Sequence, residues 1–157
     1  HTRLQGDWSS DVCSSDLVES SLALQLEWQK SSGSDKVALM KTAPRNYKDL
    51  IVWQKSICLA KLVYSITESF PKSEQYALTS QMRRAAVSIP SNIAEGSRRG
   101  GKDNLRFLRV AFGSASELET QIIISKDLPM GENICFSKAE ELLEEILKML
   151  NKMTFRS

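Results

Sequence analysis

Histidine is all but missing from this sequence: among 157 residues the only one is His1. That excludes a histidine-assisted nucleophile, an imidazole acid or base, and a histidine metal cluster. The three cysteines, Cys13, Cys58 and Cys135, are far apart and form no CxxC pair, so neither a disulfide framework nor a zinc site is indicated. No apolar run approaches the roughly 18 residues of a membrane span, and no charged-then-apolar leader of the secretory type is present. GGKD at Gly100 to Asp103 lacks the earlier glycine and the hydroxyl residue of a phosphate loop, and follows a helical pattern instead of a strand. Carboxylate or lysine chemistry is left without a residue pattern that points to it. The expectation is a cytoplasmic protein that is not an enzyme and uses no metal or cofactor.

What is present begins irregularly. The chain starts with His, and WSSDVCSSDL repeats Ser-Ser-Asp from Ser9 and again from Ser14. This resembles a translated adapter or vector scar, and such segments are set aside in fold reasoning. Residues 1–39 are therefore expected to be a non-native or disordered extension, and residues 40–157 a single domain opening at Met40.

That domain reads as helices. Tyr47 to Phe70 holds no glycine or proline, and Pro71 closes it. Leu50, Trp53, Ile57, Ala60 and Tyr64 make one stripe and Leu59, Val63, Ile66 and Phe70 a second, wide enough to predict contacts with more than one neighbour. Ser73 and Glu74 are expected to start the second helix, with Leu78, Met82, Ala86, Ile89 and Ile93 on its buried side. Pro90 keeps that phase, which predicts a kinked helix whose freed Ala86 carbonyl is answered by Ser88, Ser91 or Asn92. Gly96 is expected to end it, leaving SRRGGKD as a short connection.

The third helix, about Asp103 to Leu128, places Leu105, Leu108, Phe112, Ala115 and Ile122 on one face. Glu119 falls at the skipped turn of that face, and a buried acid needs a partner. A structural ion pair of Arg84 with Glu119 is the expectation. The small residues Gly113 to Ser116 predict close approach of a neighbour. After KDLPMGEN, Ser137 is expected to cap a fourth helix with Ala139, Leu143, Ile146, Leu150 and Met153 as its seam. The fold class is all-α: an antiparallel up-down-up-down four-helix bundle.

The formal net charge of +2 conceals a gradient. Between positions 83 and 109 seven basic residues face only Glu95 and Asp103, a net of +5, whereas residues 110–157 carry a net of −3. Lys102, Arg106 and Arg109 share one helical face beside Arg98 and Arg99, a stripe that can track phosphates. Helix-end stabilisation of Arg98 and Arg99 and an Arg106–Asp103 pair are the structural alternatives. Phe107 and Phe112 read as core, and no aromatic RNA-binding signature on strands is present, so any contact with nucleic acid is expected to follow the backbone or the shape.

Three segments carry a resemblance: YKDLIVWQKS (Tyr47–Ser56), QMRRAAVSIPSNIAEGSRR (Gln81–Arg99) and FLRVAFGSASELET (Phe107–Thr120). Together they resemble the four-helix-bundle family of intervening-sequence proteins, named for open reading frames within insertions in bacterial large-subunit ribosomal RNA genes. The resemblance spans about residues 46–153. It implies a homopentamer around a central axis. The family is also similar to the accessory variability proteins of diversity-generating retroelements, basic pentamers that work with a reverse transcriptase and nucleic acid. By motif position it makes Arg83 and Arg84, and after them Arg98 and Arg99, nucleic-acid contacts. Two functions follow. One is an oligomeric binder of structured RNA or another nucleic acid, or a partner of a nucleic-acid-processing protein, acting through Arg83, Arg84, Arg98, Arg99, Lys102, Arg106 and Arg109. The other is an assembly or scaffold protein whose arginines serve Glu117, Glu119 and the subunit contacts. Neither involves a membrane.

Overall fold

The computed structural model of the chain describes residues 46–155. The expected extension at residues 1–39 lies outside them. Four α-helices follow in order: α1 Ile51–Glu68, α2 Leu78–Arg99, α3 Gly101–Asp127 and α4 Ser137–Phe155. Each packs on its neighbour in sequence and α4 closes on α1, which makes an antiparallel four-helix bundle. No strand occurs among the described residues.

The core is the set of apolar stripes meeting in the middle. Leu59 and Val63 of α1, Met82, Ala86, Ile89 and Ile93 of α2, and Ile146 and Leu150 of α4 are all fully buried. Burial of each large side chain contributes about 1.5–3 kcal/mol. Hydroxyls inside this core bond to the carbonyl one turn back: Ser56 to Val52 (2.6 Å), Thr67 to Val63 (2.7 Å), Ser125 to Gln121 (2.7 Å) and Thr154 to Leu150 (2.7 Å). A buried donor left without such a bond would be destabilising.

Several boundaries differ from expectation. The first helix is split, because Leu50 adopts extended angles (φ −72°, ψ 121°) between a 3-10 turn at Tyr47–Asp49 and α1. The turn folds back so that Tyr47 meets Trp53 edge to face at 5.3 Å. Of the two α1 stripes, the Leu59–Val63 one enters the core, while Tyr64 stays exposed. Ser73 and Glu74 sit in a separate 3-10 turn, Lys72–Glu74, and α2 begins at Leu78, whose amide donates to Glu74 Oε2 (3.4 Å). Met153 is exposed, and Thr154 takes the buried place beside it.

Pro90 lies inside an uninterrupted α2. Its neighbours do not answer the Ala86 carbonyl. Ser91 donates to the carbonyl of Val87 (2.8 Å) and Asn92 to that of Ser88 (2.8 Å), so the polar side chains secure the carbonyls flanking the proline turn. Nor does Gly96 end the helix. It is buried, and a β-carbon there would lie 2.8 Å from Phe107 Cβ and 3.0 Å from Asn104 Oδ1. Its role is close approach of α3. The stop comes at Gly100 (φ 69°), and Gly101 (φ 53°) already opens α3. Both angles favour glycine, so two long helices reverse direction through a single linking residue.

The buried stripe of α3 is Leu108, Ala111, Ala115, Leu118 and Ile122. Its spacing of 3, 4, 3 and 4 has no skipped turn. Leu118 therefore occupies the position given to Glu119, which is exposed. Of the small residues, Ser114 touches Ser88 across the α2–α3 contact (2.9 Å) and Ala115 is fully buried, but Gly113 faces open space.

Candidate nucleic-acid interface

The Gly100 junction decides where the cations lie. Because α2 runs to Arg99 and α3 starts at Gly101, Arg98 and Arg99 form the last turn of one helix while Lys102 falls in the first turn of the next. One turn further along α3, Arg106 and Arg109 continue the face. Lys102, Leu105, Arg106, Arg109 and Val110 line one shallow groove of about 360 Å³. All five basic side chains are exposed.

Aromatic rings hold this end in place. The guanidinium groups of Arg99 and Arg106 lie 5.1 and 5.8 Å from the Phe107 centroid, and Arg98 lies 5.2 Å from that of Tyr47. Arg109 stands 6.0 Å from Phe155, which meets Phe112 edge to face at 5.6 Å. Phe107 is thus half-buried and supports the charged surface, where the sequence placed it in the core, whereas Phe112, also half-buried, packs against the core as expected. Stacking of this kind fixes a guanidinium without neutralising it. Arg99 is the exception in charge, since Glu95 accepts from its Nε (3.0 Å) and Nη2 (2.7 Å).

Arg83 and Arg84 do not join this group. They stand about 14 residues from Arg98, which at 1.5 Å per residue is about 20 Å along α2. Arg83 turns toward α1, where its Nε donates to Thr67 Oγ1 (2.8 Å) and its guanidinium covers the Tyr64 ring at 4.7 Å. Arg84 is exposed and enters a separate groove beside Tyr64 and Tyr76. Nothing in the spacing of Tyr64 and Tyr76 marks them as neighbours of Arg84; only the packing of α1 on α2 does.

The expected Arg84–Glu119 pair does not form. Ion pairs among the described residues join Lys55 to Glu145, Arg99 to Glu95, Lys126 to Glu140 and Lys148 to Glu144. Glu119 points instead into a groove of about 410 Å³ between α3 and α4, with Glu140, Glu141 and Glu144. The Arg106–Asp103 pair is likewise not among those formed. Among the described residues, exposed Arg98, Arg99, Lys102, Arg106 and Arg109 thus lie at the α2–α3 junction, and Glu119, Glu140, Glu141 and Glu144 line a groove toward the other end of α3.

Neither surface holds a metal-binding cluster: among the described residues no three His, Cys, Asp or Glu side chains are grouped to bind an ion. No helix there is long and apolar enough to cross a membrane. Cys58 is buried, and Cys135 is exposed with Sγ 3.6 Å from Ser137 Oγ. Hydrogen bonding from the Ser137 side chain, and then from its backbone, holds the Cys135 thiol below its ordinary value.

An all-helical bundle with an arginine-rich helix junction is the class that fold and surface define. A sequence profile of the 23S rRNA-intervening sequence protein family matches residues 48–152, so all four helices take part. The chain belongs to this family. Among curated proteins no sequence match was found.

Proposed function

We propose that this protein is a non-enzymatic RNA-binding bundle that contacts phosphates through Arg98, Arg99, Lys102, Arg106 and Arg109. The observation that carries this reading is the Gly100 junction. It gathers five cations from two helices onto one end, and only Arg99 among them has a carboxylate partner among the described residues. Exposed cations of this kind can replace the counterions of a phosphate backbone, and the release of those counterions favours binding. The family's name, taken from ribosomal RNA, supports RNA as the nucleic acid.

The protein acts in this reading as a homo-oligomer. Ile123 and Ile124, at 54% and 45% exposure, lie on α3 beyond the basic groove, and exposed apolar side chains favour association of copies. Assembly without RNA is the second reading, favoured by the commitment of Arg83 to α1 instead of to solvent. A direct comparison separates the two. The triple variant K102Q/R106Q/R109Q should keep the oligomeric mass of the parent protein and lose at least tenfold in affinity for an RNA hairpin. Unchanged RNA affinity in a folded triple variant would reject the binding surface.

A further inference from the structure

A second groove, about 650 Å³, opens between α1 and the start of α2, lined by Tyr64, Tyr76, Thr79, Ser80, Arg83 and Arg84 among others. We infer that it takes an unpaired nucleotide of the RNA, with the base stacked on Tyr76 and the adjoining phosphate on Arg84. This rests on the reading of RNA as ligand and adds a distinct site to it.

Four features support the assignment. Tyr76 is 90% exposed in the turn before α2, an unusual position for a large ring that contributes little there to the core. Tyr64, 43% exposed, carries the Arg83 guanidinium 4.7 Å from its ring centre, so the wall of the groove is an arginine–tyrosine stack. Arg84 has no hydrogen-bond, ion-pair or ring partner among the described residues, whereas its neighbour Arg83 is held by Thr67 and Tyr64. Thr79, only 6% exposed, lines the groove and leaves its hydroxyl without a hydrogen-bond partner. A buried hydroxyl without a partner is destabilising unless a ligand or water answers it.

The chemistry matches an unpaired nucleotide better than a duplex. An open aromatic face, a free guanidinium and hydroxyl groups within one groove are the parts that bind single strands by stacking and backbone contact. A duplex has no exposed base face to offer Tyr76. The Leu78 amide at the start of α2 already donates to Glu74, and Arg84 supplies the positive charge for the phosphate.

The test uses the full chain and two labelled RNAs, a blunt-ended two-strand duplex and the same duplex with a ten-nucleotide uridine tail, read by fluorescence anisotropy. The parent protein should bind the tailed duplex more tightly. Y76A should lose about tenfold on the tailed RNA and nothing on the blunt one, with Y76F restoring most of the loss. R84Q should act in the same selective way, and R106Q should weaken both RNAs. Equal affinity of the parent for the two RNAs, or a Y76A protein that still prefers the tail, would overturn the groove while leaving the basic junction intact if R106Q still weakens both. No binding of either RNA by the parent would overturn both sites together.

Discussion

The Arg83 guanidinium lies 4.7 Å from the centre of the Tyr64 ring, and the same side chain donates through Nε to Thr67 Oγ1 on α1. One of two adjacent arginines is thereby a clamp between α1 and α2, and the other is free. Arg83→Ala should destabilise the fold by about 1–2 kcal/mol, combining a cation–π contact with a hydrogen bond. Arg84→Ala should change stability by no more than about 0.5 kcal/mol, as exposed substitutions do. Urea unfolding of both variants checks the contrast, and equal effects would contradict it.

Leu118 and Glu119 provide a test of the α3 register. Leu118 is fully buried, so Leu118→Ala should cost about 2–5 kcal/mol through lost transfer energy and a cavity. Glu119→Gln should lie within about 0.5 kcal/mol of the parent protein. A large destabilisation at Glu119 would mean that it does occupy a core position.

Gly96→Ala should destabilise the bundle although alanine is the better helix former. The gain of up to about 1 kcal/mol from helix propensity is opposed by overpacking of about 1–3 kcal/mol where the new methyl meets Phe107 and Asn104. Because Phe107 supports both Arg99 and Arg106, RNA affinity should fall with stability. Thermal unfolding reads the first effect and RNA titration the second; a rise in melting temperature would contradict the close approach of α3.

Cys135 gives a pH-dependent prediction. Its thiol is held below the ordinary value by Ser137, and the thiolate is the reactive form, so alkylation by iodoacetamide should reach half its limiting rate at a lower pH than in an unperturbed cysteine peptide. Ser137→Ala should move that midpoint upward. Peptide mass spectrometry assigns the label to Cys135, and buried Cys58 should react more slowly. A midpoint at or above that of free cysteine would contradict the hydrogen bonding.

The helices were legible in the sequence because their apolar phases are long. Met82, Ala86, Ile89 and Ile93 sit where their spacing places them, as do Ala139, Leu143, Ile146 and Leu150. The α3 register was not, because choosing the larger Phe112 over Ala111 shifts the stripe by one residue and brings Glu119 inward. In a tightly packed bundle the narrow side of a helix is filled by alanine. Gly96 was misread for a related reason: a glycine at the end of an apolar phase looks alike whether it stops a helix or admits a neighbour. Of the basic surface, the α3 stripe was legible from its spacing. The separation of Arg83 and Arg84 from it, the stacking of Arg83 on Tyr64, and the groove that Arg84 shares with Tyr64 and Tyr76 depend on how α1 lies against α2.

The most direct measurement is the salt dependence of RNA hairpin affinity for the parent protein and for K102Q/R106Q/R109Q. For the parent, affinity should fall steeply with salt. The triple variant should bind more weakly and show a slope shallower by roughly 0.7–0.9 for each phosphate it no longer neutralises. Parallel slopes and equal affinities, in two proteins of the same stability and oligomeric mass, would contradict phosphate recognition at the α2–α3 junction.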